Sequence, residues 1–147
     1  MPSLGVKARV ARSHDSRTAQ LALAILRRAR RPLSAYDLLH RLEVTANRKI
    51  APPTVYRALD TLLGRGVIAR IESRSAYVVC VNVGHAEDCV FFLCDRCHAF
   101  QEIEDPNLKI LISEQARALG FQVTHRVVEM GGLCGRCQET ASLPRAS

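Results

Sequence analysis

Apolar residues recur first at helical spacing, then in alternation, and both patterns return in the last third of the chain. Leu21, Ala22, Ile25, Leu26 and Ala29 share one face at 100° per residue, predicting a helix that Pro32 stops. Residues 1–17 mix charge, Ser and small side chains without a period and read as a mobile arm. Ser34 reads as the N-cap of a second helix, with Asp37 at its third position and Leu33 and Leu38 placed as a hydrophobic staple. That helix runs to about Leu42, with Leu38, Leu39 and Leu42 inward. A third helix starts at Pro52-Pro53, where missing N–H donors cost nothing, and ends before Gly64. Val55, Ala58, Leu59, Leu62 and Leu63 form its inner face. Two alternating runs, Val67–Glu72 and Ala76–Val81, flank Ser73-Arg74-Ser75 as a hairpin. Three helices and a basic-tipped hairpin describe a winged helix-turn-helix.

Past Gly84 the pattern changes. Val90–Cys94 and Ala99–Ile103 read as strands. Pro106–Leu119 reads as a helix, with Leu108, Leu111, Ile112 and Leu119 on one face. Phe121–Glu129 reads as a further strand, with Phe121, Val123, His125 and Val127 on one side. The expected organisation is an arm over 1–17, a winged helix over 18–81, a hinge over 82–88, a small α/β domain over 89–140 and a tail over 141–147.

Charge sharpens this division. The chain carries +7 overall. Residues 1–80 hold fifteen Lys/Arg against five Asp/Glu, and residues 81–147 hold six against nine; +10 and −3 give the +7. A basic front half suggests a polyanion-binding module, with a basic solvated surface as the alternative. The start is broken by Lys7, Arg9 and Arg12 and lacks the apolar core of a signal peptide, and the run Cys89–Cys94 is too short to cross a bilayer. A cytoplasmic location is expected, and six cysteines there favour metal ligands or reactive thiols over disulfides.

Cys94-Asp95-Arg96-Cys97 and Cys134-Gly135-Arg136-Cys137 carry the most specific chemistry. Each Cys-x-x-Cys turn brings two thiolates to one side of a tight loop, and two turns complete the tetrahedron of a structural zinc. The alternatives are unrelated thiol pairs or a redox couple. A redox pair usually opens a helix, whereas Cys94 ends a predicted strand and the motif is duplicated. On the third helix, Tyr56, Arg57 and Thr61 lie on or beside the outer face, with Thr54 at its start, suiting the major groove. Arg48, Lys49, Arg65, Arg70 and Arg74 would contact phosphates, which position the protein without reading sequence. An ordinary basic helical subdomain is the bland alternative. No nucleophile–base pair or phosphate loop supports an enzyme, and no small-molecule substrate or membrane partner is expected.

Pro53-Thr54-Val55-Tyr56-Arg57-Ala58-Leu59-Asp60, with Leu62-Leu63 and Gly66-Val67-Ile68, resembles the recognition helix and following strand of the ferric uptake regulator family. Arg70-Ile71-Glu72-Ser73 and Ala76-Tyr77-Val78-Val79-Cys80 resemble the wing of its zinc uptake branch, and the two cysteine pairs complete the pattern over roughly residues 18–140. The resemblance implies an N-terminal winged helix and a C-terminal α/β dimerisation domain. It also implies one structural and one regulatory zinc per protomer, and a metal-loaded homodimer that represses transcription from palindromic operators.

The resemblance extends to a regulatory site in which Cys80 matches a thiolate ligand, Glu102 a carboxylate and His85 a linker histidine. Ala69 departs from the branch, which often has histidine there; Cys89, Glu87, Asp88 or water would supply the fourth ligand. His125 matches a histidine of a further site in some relatives, but its apolar strand face favours a core role. The implied function is a zinc-responsive repressor of zinc uptake genes. The alternatives are an iron or manganese sensor of the same family, a structural-zinc nucleic-acid-binding protein without sensing, and a thiol oxidoreductase.

Overall fold

The computed structural model describes residues 17–81, 89–123 and 126–142. The chain divides into two compact units, Met1–Gly84 and His85–Ser147. The expected hinge and most of the expected arm lie outside the described residues; Arg17 is already helical.

In the first unit, helix α1 covers 17–28 and buries Ala19, Ala22 and Leu26. Strand β1 (Leu33–Ser34) then pairs antiparallel with β3, setting Leu33 opposite Tyr77. This two-residue strand has no readable period, so the sequence pattern misses it. Ser34 caps helix α2 (Ala35–Ala46), its Oγ accepting the Asp37 N–H at 3.0 Å. Helix α2 continues a full turn past the expected end at Leu42. Its stop is Asn47, in the left-handed region at φ 49°, whose N–H donates to the Glu43 and Val44 carbonyls. Asn tolerates that conformation better than most residues, so the stop signal was Asn47 rather than the last inward leucine.

Helix α3 (Pro52–Gly64) starts at the proline pair and buries Val55, Ala58, Leu59 and Leu62. Its end is closed by Gly66 at φ 64°, with Gly66 N–H bonded to Leu63 O at 2.9 Å and Val67 N–H to Leu62 O at 3.3 Å. That paired closure needs a left-handed residue, hence glycine. Strands β2 (Ile68–Ile71) and β3 (Ala76–Val79) form the wing hairpin, in a sheet ordered β1-β3-β2. A single 3-10 turn, Glu72–Arg74, and Ser75 at φ 47° connect them. Leu33, Leu38, Leu42, Leu59, Leu62 and Ile68 form one closed core. Each contributes about 1.5–3 kcal/mol of burial, so this unit is held by its own packing.

The second unit is a sheet ordered β5-β4-β6, with β4 (Cys89–Cys94) central. Strand β5 (Phe100–Glu104) pairs antiparallel with it and β6 (Val128–Gly132) parallel. Helix α4 (Pro106–Ala118) is capped by Asp105, whose carboxylate accepts the Asn107 N–H at 2.9 Å. The expected strand over Phe121–Glu129 is a correction. Residues 121–123 and 126–127 are not strand, and pairing begins only at Val128. Local propensity favours Phe121–Val127, but the parallel register Val90↔Val128 to Cys94↔Gly132 selects the later, glycine-containing segment. His125 lies outside the described residues. A final helix, α5 (Gly135–Ser142), follows the second cysteine pair and carries no apolar stripe that would announce it.

Candidate metal centre and DNA-reading face

The register of β6 against β4 builds the metal centre. Cys94 ends β4, and the turn through Asp95, Arg96 and Cys97 is closed by His98, at φ 61°, whose N–H bonds to Cys94 O at 3.0 Å. Gly132 lies beside Cys94 in the sheet, and Asp95 N–H donates to Gly132 O at 2.8 Å. Two residues later the chain therefore delivers Cys134 to the same place. One donor atom from each of Cys94, Cys97, Cys134 and Cys137 lies within 4.8 Å of the others. Among the described residues they form the one group of three or more ligand side chains that close together. The Cys97 and Cys134 sulfurs are 3.7 Å apart. Zinc–sulfur bonds of about 2.3 Å in a tetrahedron place sulfurs roughly 3.8 Å apart, so this spacing fits the ion.

Amide and guanidinium groups complete the cradle. Cys94 Sγ accepts N–H bonds from Cys134 at 3.4 Å and Cys97 at 3.5 Å, and Arg96 Nη1 donates to Cys137 O at 3.3 Å. The Cys134 amide first, and the Cys97 amide second, hold the Cys94 thiol down at about 5. Burial, and hydrogen bonds among the neighbouring thiols, push Cys137 up to about 12. One sulfur is thus prepared as a thiolate, whereas Cys137 gives up its proton only to a cation. The second pair does open a helix, because Cys134 immediately precedes α5. The contrast that the sequence drew with redox pairs therefore holds for Cys94 alone, and the stronger argument for metal is the convergence of all four sulfurs.

The expected regulatory ligands are distributed differently. Cys80 follows β3 in the first unit, 4% exposed, with its N–H bonded to Val67 O at 3.0 Å. Glu102 lies half-buried on β5 and accepts a hydrogen bond from Cys89 Sγ at 2.6 Å. His85, Glu87 and Asp88 lie outside the described residues. Ala69 is buried on β2, opposite Val78.

On α3, Tyr56 and Arg57 are exposed and Thr54 is half-buried. Thr61 is also exposed, but its hydroxyl bonds to Arg57 O at 2.9 Å. Arg70 pairs with Glu72 at 3.3 Å on the wing, and Arg74 is half-buried in the turn beyond. Lys49 pairs with Glu43 at 3.4 Å, although its side chain stays 95% exposed and exchangeable for a phosphate. Glu43 is the positioning residue that the sequence reading missed. Its Oε1 accepts the Ile50 N–H at 3.1 Å, fixing the turn between α2 and α3 and so the aim of the reading helix. That amide, ahead of Lys49, holds the Glu43 carboxyl below its usual range. Nothing in the helical period marks it, because a half-buried acid on α2 reads as an ordinary surface charge.

The sequence profile of the ferric uptake regulator family matches residues 11–131. The chain belongs to this family. As a family member it is 40% identical over 108 residues to the zinc uptake regulation protein of Escherichia coli (strain K12). That match covers 73% of this chain and 63% of the relative, so the aligned region spans less than two thirds of the curated protein. Two solved structures share the architecture. A zinc uptake regulator complexed with zinc and DNA superposes with a TM-score of 0.80 at 34% identity, covering 86% of this chain and 84% of the other. Holo XcZur gives 0.76 at 36% identity, covering 83% and 84%. The winged helix-turn-helix followed by a small α/β unit is therefore the family fold in this chain.

Proposed function

We propose that this family member is a zinc-responsive transcriptional repressor that binds palindromic operator DNA as a metal-loaded homodimer and controls zinc uptake genes. The observation that carries this reading is the likeness, over 86% of the chain, to a regulator whose structure holds both zinc and DNA. It is supported by the four converging cysteines and by the exposed outer face of α3. In this reading Cys94, Cys97, Cys134 and Cys137 hold a structural zinc that supplies folding free energy, with no position left open for chemistry. Cys80, His85 and Glu102 contribute to a regulatory zinc drawing ligands from both units, so that occupancy favours the DNA-competent arrangement. Tyr56, Arg57 and Thr54 read the major groove, while Lys49, Arg70 and Arg74 hold phosphates. The protein acts in the cytoplasm, carries out no enzymatic reaction and takes no small-molecule substrate. No described helix is long and apolar enough to cross a membrane.

Two variants test this division of labour. Arg57→Ala should weaken operator binding by about 1–3 kcal/mol and leave metal content unchanged. Cys80→Ser should remove the zinc dependence of DNA binding while the dimer stays folded. Operator affinity intact in the first variant removes Arg57 from the reader, and unchanged zinc dependence in the second removes Cys80 from the sensor.

A further inference from the structure

Resting on the sensing role proposed above, we infer that Cys89 is the fourth ligand of the regulatory ion, filling the place that Ala69 cannot. Ala69 offers only a methyl group, and it is 6% exposed on a strand whose neighbours are apolar. Cys89 opens β4 at 2% exposure, two residues before Phe91, which pairs with Glu102 across the sheet. Cys89 and Glu102 therefore lie diagonally on one sheet face, within reach of each other. The structure uses that placement: Cys89 Sγ lies 2.6 Å from Glu102 Oε1. A cysteine serving only as a small hydrophobe packs against carbon; this one turns its sulfur onto a half-buried carboxylate that the family resemblance already assigns to metal.

The consequence is a regulatory donor set of two thiolates, one imidazole and one carboxylate, from Cys80, Cys89, His85 and Glu102. A second soft ligand favours zinc and cadmium over iron(II) and manganese(II), which prefer oxygen and nitrogen donors. When the ion binds, the proton that Cys89 Sγ directs at Glu102 Oε1 leaves to water as the zinc–sulfur bond forms. No oxidation state changes.

The test uses the full reduced chain with zinc retained in the four-cysteine cluster, titrated with cobalt(II), whose thiolate charge-transfer band reports sulfur ligation. The wild-type band should correspond to two thiolates per added ion. In Cys89→Ser it should fall by about half, and affinity should drop more than the roughly 10–100-fold that loss of an outer-shell partner costs. Cys89→His should retain binding with the same halved band, which keeps the test open if the serine variant folds poorly. A full-strength band in Cys89→Ser overturns the assignment even if affinity falls, because Cys89 would then only position Glu102. Failure of the wild-type chain to bind a second ion would instead overturn the sensing role itself.

Discussion

The two units of this chain solve the problem of stability in different ways. The first encloses a core of large side chains, with Leu33, Leu38, Leu42, Leu59, Leu62 and Ile68 each at 0–1% exposure. In the second, the buried apolar residues described are Cys89, Val90, Phe91, Leu93, Cys94 and Cys137, half of them cysteines. Its helix α4 buries no residue fully, and Ile110, Leu111, Leu119 and Phe121 are 53–73% exposed. A small sheet with one unburied helix cannot match the first unit by hydrophobic burial alone. What it has instead is four convergent sulfurs and an apolar surface large enough to mark an association site. The DNA-reading unit is complete as a single chain, and the second depends on things it binds.

Removing metal should break this contrast most strongly. A structural zinc contributes about 10–16 kcal/mol of binding free energy to folding, so stripping it should unfold the second unit while α1–α3 stay protected. Hydrogen exchange on the chelated, reduced chain checks this; equal loss of protection in both units would contradict it. Acid should act in the same direction. Cys94, depressed to about 5, contributes favourably at pH above the ordinary thiol range, and that contribution is lost as pH falls through about 5. Cys137, raised to about 12, binds an ion only by giving up its proton, so every fall in pH weakens zinc. Zinc release to a chromophoric chelator should therefore rise from neutral pH towards about 5.

A smaller effect should come from the apolar face. Leu111→Glu places a charge on exposed α4, where it costs a monomer little but would be desolvated in a dimer. Sedimentation should show a shift towards monomer, with metal content and first-unit stability unchanged; an unaltered dimer would place the interface elsewhere. The smallest effect lies in the self-sufficient unit. Ser34→Ala removes the cap on Asp37 N–H and should cost about 1 kcal/mol in denaturant unfolding of the first unit, without loosening zinc.

The same contrast explains how much was legible beforehand. In the first unit local signals and packing agree: Ser34 caps, Pro52-Pro53 starts a helix, and the inner faces of α2 and α3 are those that the periodicity names. The four cysteines were legible because spacing itself encodes the chemistry. In the second unit the last strand was misplaced, because Phe121–Val127 looks more strand-like than Val128–Gly132 and only pairing with β4 chooses between them. Strand β1, helix α5 and the Glu43 clamp are likewise set by tertiary neighbours and leave no periodic trace. The tie between Cys89 and Glu102 joins residues thirteen positions apart, and only the β4–β5 register reveals it.

The central claim is that metal occupancy controls DNA reading, and one measurement tests it directly. Fluorescence anisotropy would follow binding of the full chain to the palindrome upstream of a zinc-transporter operon in the source genome. Free zinc would be buffered over a range, with iron(II) and manganese(II) in parallel. Zinc alone should tighten binding by about 100-fold or more, equivalent to roughly 2.7 kcal/mol of coupling. Operator affinity that stays the same across all three metals would contradict the account.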